Sequence, residues 1–85
     1  MNIHLSSRFL KQLAKQPPKV EEAFYLRLLV FQEDMHDPVL RNHPLQGRLK
    51  GMYSINITGD VRALYEIVGD QVYMYQMIGT HSQLY

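Results

Sequence analysis

The sequence predicts an α+β fold, with two N-terminal helices packed on one face of a three- to four-stranded antiparallel sheet. Three observations carry this. Apolar residues recur at helical spacing through the first third of the chain. After the polar stretch "EDMHDPVLRNHPLQ" the pattern turns to alternation, the period of strands. Two Gly-Asp pairs, at 59–60 and 69–70, then punctuate the alternating region as turns do.

The first helix begins at Ser6 or Ser7, either of which can cap it. Leu5, Phe9, Leu10 and Leu13 then share a face. "QPP" ends it, because proline lacks an amide hydrogen and disfavours helix in the residue before it. Pro18 suits the first turn of a second helix, and Glu21 and Glu22 suit its positive end. That helix runs to about Gln32. Val20, Phe24, Leu28 and Phe31 face the core, while Tyr25, Leu29 and Val30 need cover elsewhere. Beyond the polar loop, "GRLKG" reads as a short strand or strand approach. "MYSINIT", "VRALYEIV" and "QVYMYQMIG" read as three strands.

Side chains alternate along a strand, so register decides which polar groups meet. A strict two-residue turn would pair Ile57 with Arg62 and mix apolar and polar faces. A three-residue loop, Thr58 to Asp60, pairs Asn56 with Arg62 and keeps the apolar sets together. A two-residue turn at Gly69–Asp70 pairs Val68 with Gln71. Val72, Met74 and Ile78 then join the core, and Tyr73, Tyr75 and Met77 join the Arg62 face. Continued alternation puts His81 there too. Asn56, Arg62, His81 and Lys50 are thus expected to look out together from the side away from the helices.

Length and composition bound the function. Eighty-five residues make one domain, 1–85, with a thin core. The absence of cysteine excludes disulfide frameworks and thiolate chemistry and fits a reducing compartment. No apolar run reaches the roughly 20 residues of a membrane span, and the N-terminus lacks a signal-peptide core. We expect a cytoplasmic protein with no membrane partner. Net charge is only +1, but residues 41–62 carry Arg41, Arg48, Lys50 and Arg62 against Asp60 alone. A local basic patch of this kind attracts phosphate. Cations hold phosphates, rings stack on unpaired bases and histidine transfers protons, so the Arg62 face suits single-stranded RNA. RNA cleavage by its own 2′-hydroxyl needs a base, an acid and a cation, with no metal and no small-molecule cofactor.

"HPLQGRLKGMYSINITGDVRALYEIVGDQVYMYQMIGTHSQLY", residues 43–85, resembles the C-terminal half of RelE/ParE-type toxins of bacterial toxin–antitoxin systems. It is most similar to the YafQ branch, whose chains typically end in Gly-Thr/Ser-His followed by Leu and an aromatic. The resemblance implies a RelE-like fold and an mRNA interferase that cuts messenger RNA in the ribosomal A site. It also implies a cognate antitoxin that holds the toxin inactive. The catalytic set carried over is His43 before the Pro-Leu-x-Gly turn, Asp60 in the hairpin loop, His81, and Arg62 as the arginine that steadies the scissile phosphate. Tyr85 matches the terminal aromatic. Arg48 and Lys50 are expected on the RNA backbone. Asn56 stands where the branch commonly has a histidine; it can hydrogen-bond RNA but cannot transfer a proton at neutral pH. The alternative is a non-enzymatic protein of the same fold, either a gyrase poison or a decayed toxin that binds only an antitoxin.

Overall fold

The structure, a computed structural model, describes residues 2–78. The chain opens with a strand that the sequence reading misses. β1, Asn2–Leu5, lies at one edge of the sheet. Ile3 and Leu5 pack against the core, and His4 points outward to stack on Tyr73 at 4.7 Å. Leu5 therefore belongs to this strand and not to the first helix. Four residues are too few to show a period, and the strand's partner is about 70 positions away, so no turn chemistry announces the pairing.

Ser6 ends the strand and caps α1, Ser7–Ala14; its hydroxyl accepts the Phe9 N–H at 3.0 Å. Phe9 and Leu13 are buried, whereas Leu10 is about half exposed, at 48%, and is not part of the buried face. α2, Pro18–Glu33, starts on the expected proline. Phe24 and Phe31 are its buried anchors, while Tyr25, Leu26 and Leu29 stay exposed. Phe31 meets the ring of Tyr65 edge-on at 5.2 Å, and Phe9 meets Phe24 at 5.1 Å. These contacts fasten the helices to one face of the sheet.

After a 3₁₀ turn at Pro38–Leu40 come β2, His43–Pro44, and a second 3₁₀ turn at Gly47–Leu49. The "GRLKG" segment is thus a turn and not a strand. Positive φ at Gly47 (67°) and Gly51 (98°) curls the chain, and the Leu45 N–H closes the excursion on the Met52 carbonyl at 2.9 Å. The remaining strands are β3, Tyr53–Asn56, β4, Arg62–Val68, and β5, Gln71–Ile78. The five strands run in the order β1-β5-β4-β3-β2, with β1 parallel to β5 and the other pairs antiparallel. The expected three- to four-stranded antiparallel sheet is a five-stranded mixed one. A parallel pair cannot be closed by a short turn, and here both helices and strands β2 to β4 intervene between β1 and β5.

Both expected hairpin registers are present: Asn56 pairs with Arg62, and Val68 with Gln71. One irregularity changes the faces. Leu64 pairs with Gln76 but Tyr65 with Met74, so Tyr75 is the extra residue of a β-bulge. Helix α1 holds this bulge: the Ser6 hydroxyl donates to the Tyr75 carbonyl at 3.1 Å, and the Met77 N–H donates to Gln12 Oε1 at 2.8 Å. Alternation reverses past the bulge, so Met77 is buried in the core and not on the Arg62 face. Leu64 is buried as well, although strict alternation places it on the open face with Arg62.

Candidate functional site

The site is built on the β3–β4 hairpin. Ile57 and Thr58 N–H groups both donate to the Val61 carbonyl, at 2.8 and 3.2 Å. The Thr58 hydroxyl accepts from the Asp60 and Val61 N–H groups at 3.3 and 3.1 Å. Threonine thereby ties the loop to itself. Arg62 follows directly, and its Nη1 donates to the Thr58 and Gly59 carbonyls at 3.3 and 3.2 Å. The guanidinium is held at the hairpin mouth by backbone and not by the Glu66 carboxylate, which receives the Tyr75 hydroxyl at 3.2 Å. Arginine carries five N–H donors, so one nitrogen committed to the loop leaves the rest of the fork for an anion.

Beside this hairpin lies an open cleft of about 290 Å³. Asn56, Thr58 and Arg62 of the hairpin line it together with Arg27 from α2 and Arg41 from the loop after the first 3₁₀ turn. No acidic side chain is among its lining residues in the described part of the chain. Arg41 has left-handed backbone, φ 47° and ψ 43°, which costs a non-glycine residue about 1 kcal/mol. Both neighbours hold it there. Leu40 is fully buried, and the Asn42 side chain donates to the Met35 carbonyl at 2.9 Å while accepting the Tyr65 hydroxyl at 2.6 Å. Burial pushes the Tyr65 phenol up to about 12, against a smaller lowering by the Asn42 bond, so it stays a neutral donor.

His43 lies elsewhere. It sits in β2 opposite Ser54, two strands from Arg62 and roughly 12 Å away by strand geometry. Its Nδ1–H donates to the Arg41 carbonyl at 2.7 Å. It lines a second recess of about 260 Å³ with His36, Tyr53 and Tyr65.

The structure thus brings Asn56 and Arg62 together in one cleft. Asp60 is exposed at the tip of the same hairpin but does not line the cleft, and His43 is apart. Arg48 and Lys50 are exposed on and just after the Gly47–Leu49 turn, and neither lines the cleft. His81 and Tyr85 lie outside the described residues. Sequence reading misses Arg27 and does not single out Arg41 from its basic segment. The signal for Arg27 is present: a lone cation inside "AFYLRLLVF", three residues from Phe24 and four from Phe31.

Two helices on a five-stranded mixed sheet make a RelE/YoeB-like fold, and solved structures share it. The YoeB/ParE toxin from Agrobacterium tumefaciens superposes with TM-score 0.76 at 16% identity, over 95% of this chain and 99% of that one. YafQ from E. coli superposes with TM-score 0.70 at 21% identity, over 99% and 97% of the two chains. The YoeB–YefM complex from Staphylococcus aureus gives TM-score 0.73 at 16% identity, over 95% and 97%. At these identities the likeness is one of fold. No match was found among curated protein sequences. The model of the family described as "Bacterial toxin of type II toxin-antitoxin system, YafQ" matches residues 1–85. The chain belongs to that family.

Proposed function

We propose that this toxin is a ribosome-dependent messenger RNA endonuclease, held inactive in the cytoplasm by a cognate antitoxin. The observation that carries the reading is Arg62 fixed at the hairpin mouth beside Asn56 in an arginine-lined cleft. A phosphodiester entering that cleft meets the Arg62 guanidinium at its non-bridging oxygens. The charge that grows on those oxygens as the 2′-hydroxyl attacks strengthens the interaction, which is how such a site accelerates the reaction. Asn56 contributes a neutral hydrogen bond to phosphate or ribose. Proton transfer falls to His81 and Asp60. Asp60 stands on the same hairpin as Arg62, whereas His43, two strands away, is better suited to hold the flanking RNA than to move its proton. An antitoxin partner is supported by family membership and by the likeness to the toxin of the YoeB–YefM complex.

Primer extension on messenger RNA from cells briefly expressing the chain tests the reading. New cuts within translated frames are expected with the wild type and not with His81→Ala. Growth arrest without cuts would overturn it in favour of a binding target such as gyrase.

A further inference from the structure

Arg27 and Arg41 have no part in the chemistry proposed above, yet both open into the same cleft as Arg62. We propose that they form a second phosphate subsite, which grips the backbone of single-stranded RNA one linkage away from the bond that Arg62 addresses. Arg27 is half-buried on the inner side of α2, between the layers of Phe24 and Phe31. A guanidinium so placed needs an outlet for its charge, and the cleft is that outlet. Arg41 is presented by a left-handed residue, a conformation that a glycine would adopt without strain. Its two neighbours lock that backbone: Leu40 through burial, and Asn42 through its bonds to Met35 and Tyr65. The side chain is therefore delivered from a rigid backbone mount, and only its own rotamers remain to be ordered on binding.

Three guanidinium groups around one cleft, with no acidic lining residue among the described residues, repel one another, and an anion relieves this. The cleft is open and not a closed pocket, which suits a chain passing through. Asn56 and Thr58 between the cations offer neutral hydrogen bonds, as a ribose–phosphate chain requires. The inference rests on the RNA-cleavage reading for the identity of the polyanion.

The test is equilibrium binding of a fluorescein-labelled 2′-O-methyl RNA hexamer, which has no 2′-hydroxyl to react, read by anisotropy over a range of salt. Arg41→Gly keeps the backbone conformation, so its melting temperature should not fall. It and Arg27→Gln should each weaken binding about tenfold at low salt. The slope of log K against log salt should drop by about 0.7 for each phosphate that is no longer neutralised. A neutral methylphosphonate at one linkage should weaken the wild type and leave the double variant unaffected. Equal affinity and salt slope in Arg41→Gly and the wild type would overturn the subsite. So would an effect on inorganic phosphate binding with none on RNA, which would mark a free-anion site. If the variants lose RNA while wild-type cells show no cuts, the subsite stands and the cleavage reading falls.

Discussion

At the scale of single residues, the loop from Arg41 to His43 shows how one backbone conformation serves three side chains. The left-handed turn at Arg41 sends its guanidinium into the cleft and offers its carbonyl to His43 Nδ1. It also sets Asn42 beneath the Tyr65 hydroxyl. The burial of that hydroxyl has a measurable signature. The Tyr65 phenol ionises near 10.0 in the unfolded chain and near 12 in the folded one. A pKa raised by folding adds stability that is fully present below pH 10 and lost as pH climbs towards 12. That rise corresponds to roughly 2–3 kcal/mol before solvent screening reduces it. Urea unfolding between pH 9 and 12 should show this fall, and Tyr65→Phe should remove that part of it. At neutral pH the same variant should cost about 1–2 kcal/mol, because the Asn42 oxygen is left without its donor. An unchanged pH profile in Tyr65→Phe would mean that Tyr65 is not the group responsible.

At the scale of elements, the structure divides according to whether the decisive interactions are local. Both hairpins are legible to the residue, since turn chemistry and apolar alternation each demand the same register at Asn56–Arg62 and Val68–Gln71. Both helices are legible from their caps and prolines. β1 is not, because its only signal is a distant partner, and the Tyr75 bulge is not, because its cause lies in α1. Ser6 ties these hidden features together: it ends β1, caps α1 and bonds the bulge carbonyl. Ser6→Ala should therefore cost more than an ordinary cap, about 2 kcal/mol, against the roughly 1 kcal/mol typical of a cap alone. Thermal unfolding checks the size. Amide exchange checks the place: protection should fall at Phe9, whose N–H loses its acceptor, and along β1 and the bulge. A loss confined to the start of α1 would show that Ser6 is a cap and nothing more.

At the scale of the whole molecule, a net charge of +1 conceals a polarised surface. The basic segment 41–62 is legible as a candidate RNA surface, and Arg62 and Asn56 are legible as neighbours. The third wall of the cleft is not. Arg27 is the only Lys or Arg among residues 21–40, which carry five acids, and only the packing of α2 over the sheet brings it to the hairpin. The strand order, in turn, separates His43 from the residues that its motif groups it with. A motif places residue types along a chain, and the folded arrangement of elements decides which of them meet.

Everything proposed for the function turns on whether Arg62 and its cleft promote attack by the RNA's own 2′-hydroxyl. Single-turnover cleavage of messenger RNA on programmed ribosomes, with the new ends identified chemically, asks this without intermediaries. An upstream 2′,3′-cyclic phosphate and a downstream 5′-hydroxyl are expected. The rate at saturating enzyme should fall at least about a hundredfold in Arg62→Ala, as when a group that binds developing charge is removed. A 3′-hydroxyl with a 5′-phosphate, or an Arg62→Ala variant as fast as the wild type, would contradict it.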